Sequence, residues 1–101
     1  MALYAGEIVV VAASAIDPLT QKKLTELEGV VTFYAPGKDP QNNEEDREAD
    51  FTAVMHYRYD LDKYVLYQST QGFAVGDWSY RVQLTGDEYE NWEYGEFRLL
   101  E

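Results

Sequence analysis

The residue types that could carry chemistry are few. His56 is the only histidine among 101 residues, and there is no cysteine. A nucleophilic triad would need His56 oriented by an acid and facing an activated serine or threonine. No Gly-x-Ser-x-Gly sequence supplies that nucleophile. Strand alternation instead sets His56 opposite Met55 and Tyr57, as an exposed side chain. The chain holds 19 carboxylates, so some pair at a glycosidase-like separation is inevitable and uninformative. No catalytic residue is assigned, and an enzyme is the last of the functional readings.

Hard cations take clustered oxygen ligands, and two sequences offer them. One is Asp60-Leu61-Asp62 in a tight turn; the other is Asp87 and Glu88 with Glu90. Neither has the full spacing of a calcium-binding loop. Aspartate in turns is already explained by its bonds to nearby backbone N–H groups. The missing cysteines exclude a thiolate zinc site, a disulfide framework and a cysteine nucleophile. There is no Gly-x-Gly-x-x-Gly and no Walker loop. No cofactor and no metal are expected.

The elements that must position these residues are strands. From Asp77 to Leu84, Trp78, Tyr80, Val82 and Leu84 alternate without exception with Asp77, Ser79, Arg81 and Gln83, as in a strand with one buried face. Phe51–Tyr59 and Lys63–Thr70 are β-prone runs joined by Asp60-Leu61-Asp62, which reads as a hairpin. Phe51, Ala53, Met55, Tyr57 and Tyr59 share one face. Ile8–Ala15 and Val30–Ala35 are apolar in both parities and are expected to be buried on both faces. In the last run Trp92 and Tyr94 share one parity, and Phe97 and Leu99 the other. A β-bulge at Gly95 would bring all four to one face. Asp17–Gly29 is a turn and a short strand or helical turn, with Leu24 and Leu27 reaching the core.

About seven short strands with a turn roughly every ten residues indicate an all-β domain, an immunoglobulin-like antiparallel sandwich, with a small barrel as runner-up. One domain spans residues 1–101, with a long acidic loop at 36–50 in which one helical turn over 44–49 is an option. The structural core is expected to contain Trp78, Tyr80, Val82, Leu84, Trp92 and Phe97. Of Tyr64 and Tyr67, opposite in parity, one faces outward. Tyr89 falls in a loop and is the better aromatic contact residue.

Charge is the chain's most unusual property, with 19 acids against 8 bases for a net −11. Residues 39–50 and 87–96 each carry −5, so the other 79 residues are nearly neutral. Reversal of successive strands puts these two segments at opposite ends of the sandwich. Scattered bases and excess acid exclude a nucleic-acid patch and disfavour an anionic membrane surface. Asp39, Glu44, Glu45, Asp46 and Glu48, with Tyr89, are the candidate partner-binding residues. Arg81 and Arg98 read as cross-strand ion-pair formers on a wet face. The longest apolar run, Ile8 to Ile16, is too short to span a bilayer as a helix and lacks the basic flank of a signal peptide. A soluble protein made in a reducing cytoplasm is expected.

The order of these features resembles a family. Tyr4-Ala5-Gly6-Glu7-Ile8-Val9-Val10 opens the chain, and Asp17-Pro18 follows one strand later. Then come Val30-Val31-Thr32-Phe33-Tyr34-Ala35-Pro36-Gly37, Lys63-Tyr64-Val65-Leu66, Gly76-Asp77-Trp78-Ser79-Tyr80-Arg81-Val82 and Tyr94-Gly95-Glu96-Phe97. This pattern is similar to the small immunoglobulin-like β-sandwich proteins among the structural proteins of tailed bacteriophages. The 36–50 loop is longer and more acidic than that pattern requires.

The resemblance implies a non-enzymatic virion component assembled in the host cytoplasm. A minor capsid or decoration protein that stabilises the capsid shell comes first, and a head–tail or tail module second. The implied partners are the major capsid protein or other virion proteins, and an oligomer of the chain itself is an option. Two further readings come from composition. An acidic inhibitor imitating DNA would use the charge, although a phosphate mimic needs it spaced along one face. A carbohydrate-binding module would use the aromatics.

Overall fold

The computed structural model describes residues 2–36, 51–86 and 89–101. These form seven strands: β1 (Ala2–Tyr4), β2 (Ile8–Ala13), β3 (Glu28–Tyr34), β4 (Phe51–Arg58), β5 (Lys63–Ser69), β6 (Gly76–Thr85) and β7 (Glu90–Leu100). Their order across the sheet is β1-β7-β6-β3-β4-β5-β2. All neighbours are antiparallel except β1 and β7. The fold is all-β, a curled seven-stranded sheet of nearly barrel-like form.

The curl is made at β4. Residues 51–55 pair with β3, whereas 56–58 pair with β5. One strand thus belongs to both layers, β1-β7-β6-β3 on one side and β5-β2 on the other. Between them lies a single core centred on Phe33, which is fully buried. Phe33 stacks on Phe51 at 4.7 Å between ring centroids and meets Phe73, Tyr80 and Phe97 at 6.2–6.3 Å. Trp78 stacks on Phe73 at 4.6 Å, and its indole N–H donates to the Ala74 carbonyl at 2.7 Å. Offset and edge contacts of this kind add to the stabilisation from buried area alone.

Two buried hydroxyls tie the connections to the sheet. Tyr64 donates to the Leu24 carbonyl at 2.6 Å and accepts the Leu27 N–H at 3.0 Å, anchoring the crossing from β2 to β3. Thr70, fully buried, donates to the Glu7 carbonyl at 2.6 Å and accepts the Gly6 N–H at 3.0 Å. That crossing contains no helix. Asp17 Oδ1 accepts the Leu19 N–H at 2.8 Å in a turn, and Ile16 pairs with Lys23. Leu24 and Leu27 pack against the core.

Three sequence expectations need correction. Gly95 is not a bulge, because the β6–β7 register runs unbroken from Gly76↔Leu99 to Thr85↔Glu90. The glycine is there because the Tyr80 ring lies against it, where any Cβ would overlap the ring. Phe97 and Leu99 therefore point inward, and Trp92 and Tyr94 point outward, 39% and 44% exposed. Trp92 is not a core residue, whereas Trp78, Val82, Leu84 and Phe97 are buried and Tyr80 is half-buried.

β2 is not buried on both faces either. Val9, Val11 and Ala13 face the core, while Ile8 and Val10 are 55% and 45% exposed. Among the described residues, only the inner face of this terminal strand has a layer packed on it. Central β3, flanked on both sides, does bury both faces from Val31 to Tyr34.

Candidate functional site

The candidate partner residues Asp39, Glu44, Glu45, Asp46 and Glu48, and the expected helical turn at 44–49, lie outside the described residues. So do Asp87 and Glu88. The flanking residues are placed. Pro36 and Phe51 lie at one end of the curled sheet, and Thr85 and Glu90 at the other, beside the 59–62 turn. Tyr89 is not a free contact residue, because its side chain is half-buried against the core. Its carbonyl accepts the Gly86 N–H at 2.8 Å.

At the 59–62 turn the carboxylates have separate partners. Arg58 makes two bonds to Asp60, at 2.8 and 3.0 Å. Lys23 Nζ sits 2.8 Å from Asp62 Oδ2, and the Tyr57 hydroxyl donates to Asp62 Oδ1. Lys23 and Tyr57 hold the Asp62 carboxyl below its ordinary range. The same bond, with partial desolvation, pushes the Tyr57 phenol up to about 12. A carboxylate engaged by an ammonium and a phenol is poorly disposed to ligate a cation. Among the described residues no three His, Asp or Glu side chains gather as a metal site would require. An open groove of about 650 Å³ runs along Lys23–Glu28 and Thr85–Gly86. His56 is exposed on the outward face of β4, opposite Val65.

The outward faces of the two layers are more informative. On the β6–β7 face, Tyr94 lies opposite Arg81 and Trp92 opposite Gln83. The Arg81 guanidinium lies 4.5 Å from the Trp92 ring centroid, within cation–π range. Arg81 Nε and Ser79 Oγ, two positions apart on this face, are buried without a hydrogen-bond partner among the described residues. The ion pair expected for Arg98 is present, with Nε 2.6 Å from Asp77 Oδ1 on the opposed position. For Arg81 the contact displayed is with an aromatic ring.

On the opposite layer, Ile8 and Val10 of β2 adjoin Tyr67 of β5, which is 52% exposed. The Arg58 guanidinium lies 6.0 Å from the Tyr67 ring centroid. Tyr64 points inward and Tyr67 outward, as their parities require. Exposed aromatic side chains with arginine beside them are the composition of protein contact surfaces. Sequence reasoning placed one of Tyr64 and Tyr67 outward but missed the Trp92–Tyr94 face and the exposed side of β2. The alternation in β7 did contain the signal, since Trp92 and Tyr94 are out of phase with Phe97 and Leu99. Comparison of the chain with known protein families, curated proteins and solved structures finds no match.

Proposed function

We propose that this chain is a non-enzymatic structural protein of a tailed-bacteriophage virion, a minor capsid or decoration protein that docks on the capsid shell. The observation that carries the reading is the pair of exposed aromatic and apolar faces on opposite sides of one curled, tightly packed sheet. Trp92, Tyr94 and Arg81 mark one face; Ile8, Val10 and Tyr67 mark the other. A small body with a contact surface on each side is suited to bridging neighbouring subunits. A bridging protein binds the assembled lattice and not its separated subunits, so it stabilises the shell by mass action. The order of strand motifs, from Gly76-Asp77-Trp78-Ser79-Tyr80-Arg81 to Tyr94-Gly95-Glu96-Phe97, supports the same assignment. The acidic segments would meet basic patches on the lattice. Saturable, stoichiometric binding to purified capsid shells is the expected result; no binding would remove this reading.

One observation favours a second reading. Trp92 and Tyr94 are side by side on one strand and both exposed, an arrangement on which sugar rings can stack. A carbohydrate-binding module would show hits on a glycan array that disappear in Trp92→Ala.

A further inference from the structure

Among the described residues, the far edge of β2 is open. Its Thr70–Glu7 continuation shows which backbone groups face β5. The Thr70 N–H donates to the Glu7 carbonyl at 3.1 Å, in the same register that pairs Ile8 with Ser69. In an antiparallel ladder, hydrogen-bonded and non-hydrogen-bonded pairs alternate. Val9, Val11 and Ala13 therefore turn their N–H and C=O groups toward β5. Ile8, Val10 and Ala12 turn theirs to the outer edge. There, no described strand pairs with them.

An open edge is a template for another strand, and proteins ordinarily guard it with charge, proline, a bulge or a cover. Residues 8–16 contain no charged residue and no proline, and the register with β5 has no bulge. Ile8, Val10 and Ile16 are 55%, 45% and 46% exposed.

We propose that this edge pairs antiparallel with β2 of a second copy, forming a two-fold dimer with a continuous sheet across the interface. Two features select a copy of this chain as the occupant. The first is register. Side chains alternate, so only pairings of even with even positions keep both inner faces on the core side. A two-fold axis through Val10 does this, setting Val10 against its own copy and Ile8 against Ala12. It also brings together the N–H and C=O groups that both edges present. An isologous contact requires such self-complementarity. The second is charge. A chain of net −11 repels its copy, yet β2, β4 and β5 contain no acid, only Arg58 and Lys63. This layer is the side on which two such chains approach at least electrostatic cost.

The test is solution mass by sedimentation equilibrium across a concentration series. The wild-type chain is expected to reach twice its 11.6 kDa mass. Val10→Pro removes an N–H that faces the open edge and not β5, so the monomer keeps its own ladder. Val10→Lys leaves the backbone intact and guards the edge with charge. Both are expected to be monomers with the wild-type circular dichroism spectrum. Leu19→Lys, at a site 91% exposed and off the edge, should remain a dimer. A wild-type chain that is monomeric throughout would overturn the proposal and leave the edge to a strand of a different protein. A folded Val10→Lys chain that still dimerises would overturn it as well.

Discussion

The Tyr80 ring rests against Gly95, its opposed position on the neighbouring strand, and fills the space a side chain there would occupy. This contact sets the phase of β7: with no bulge, Phe97 and Leu99 enter the core and Trp92 and Tyr94 leave it. Gly95→Ala should destabilise the fold by about 1–3 kcal/mol through overpacking, measured by chemical denaturation. Tyr80→Leu should recover part of that loss in the double variant, because the two residues share one site. Strictly additive losses would show that the glycine serves another purpose.

The two tryptophans should differ sharply. Trp78 is 4% exposed and stacked in the core, so Trp78→Ala should cost about 3–5 kcal/mol. Trp92→Ala should cost about 1 kcal/mol or less, the worth of an exposed ring and its arginine contact. Fluorescence gives an independent check: acrylamide should quench Trp92 readily and leave the emission of Trp78 in the Trp92→Ala protein largely protected. Equal quenching of both would place Trp92 inside.

Removing the Tyr64 hydroxyl should loosen a whole connection. Tyr64→Phe leaves the Leu27 N–H and Leu24 carbonyl without their partner. A loss of about 1–3 kcal/mol is expected for polar groups stranded near the core. Hydrogen exchange at the Leu27 amide should accelerate more than exchange within β6.

The Tyr57–Asp62 bond predicts a pH dependence with definite sign. Tyr57 titrates at about 12 in the fold, above its ordinary value of 10.0. Its contribution to stability is therefore complete below pH 10.0 and is lost as pH rises through about 12. Asp62 is shifted the other way, so its contribution is present above its ordinary 3.8 and is lost as pH falls through its lower folded value. Asp62→Asn should bring Tyr57 back toward 10.0, read as the difference in tyrosinate absorbance against Tyr57→Phe. An unmoved Tyr57 titration would mean the bond does not form in solution.

The strands of this fold were legible where one face meets water. The alternation of Trp78, Tyr80, Val82 and Leu84 reads directly as β6, and the opposite parities of Tyr64 and Tyr67 read directly as one inward and one outward ring. Legibility failed at two places for distinct reasons. A glycine within a strand is compatible with a bulge and with close approach of a ring, and only the position of Tyr80 distinguishes them. An apolar run such as Ile8–Ile16 looks the same whether a second layer covers its outer face or leaves it open. Both failures concealed exposed aromatic and apolar faces, because there the residues break the rule that apolar means buried. The acidic segment at 36–50, on which the sequence focused attention, lies largely outside the described residues. The surfaces brought into view are on the sheets.

The most direct measurement is co-sedimentation of the chain with purified capsid shells, comparing wild type with Trp92→Ala/Tyr94→Ala. Both substituted side chains are exposed, so the variant should keep its fold. Wild type is expected to bind saturably at a fixed ratio to the shell subunit. The variant should bind at least about tenfold more weakly, the loss of one or two central aromatic anchors. A wild-type chain that stays in the supernatant at every concentration would contradict the assignment to the capsid shell.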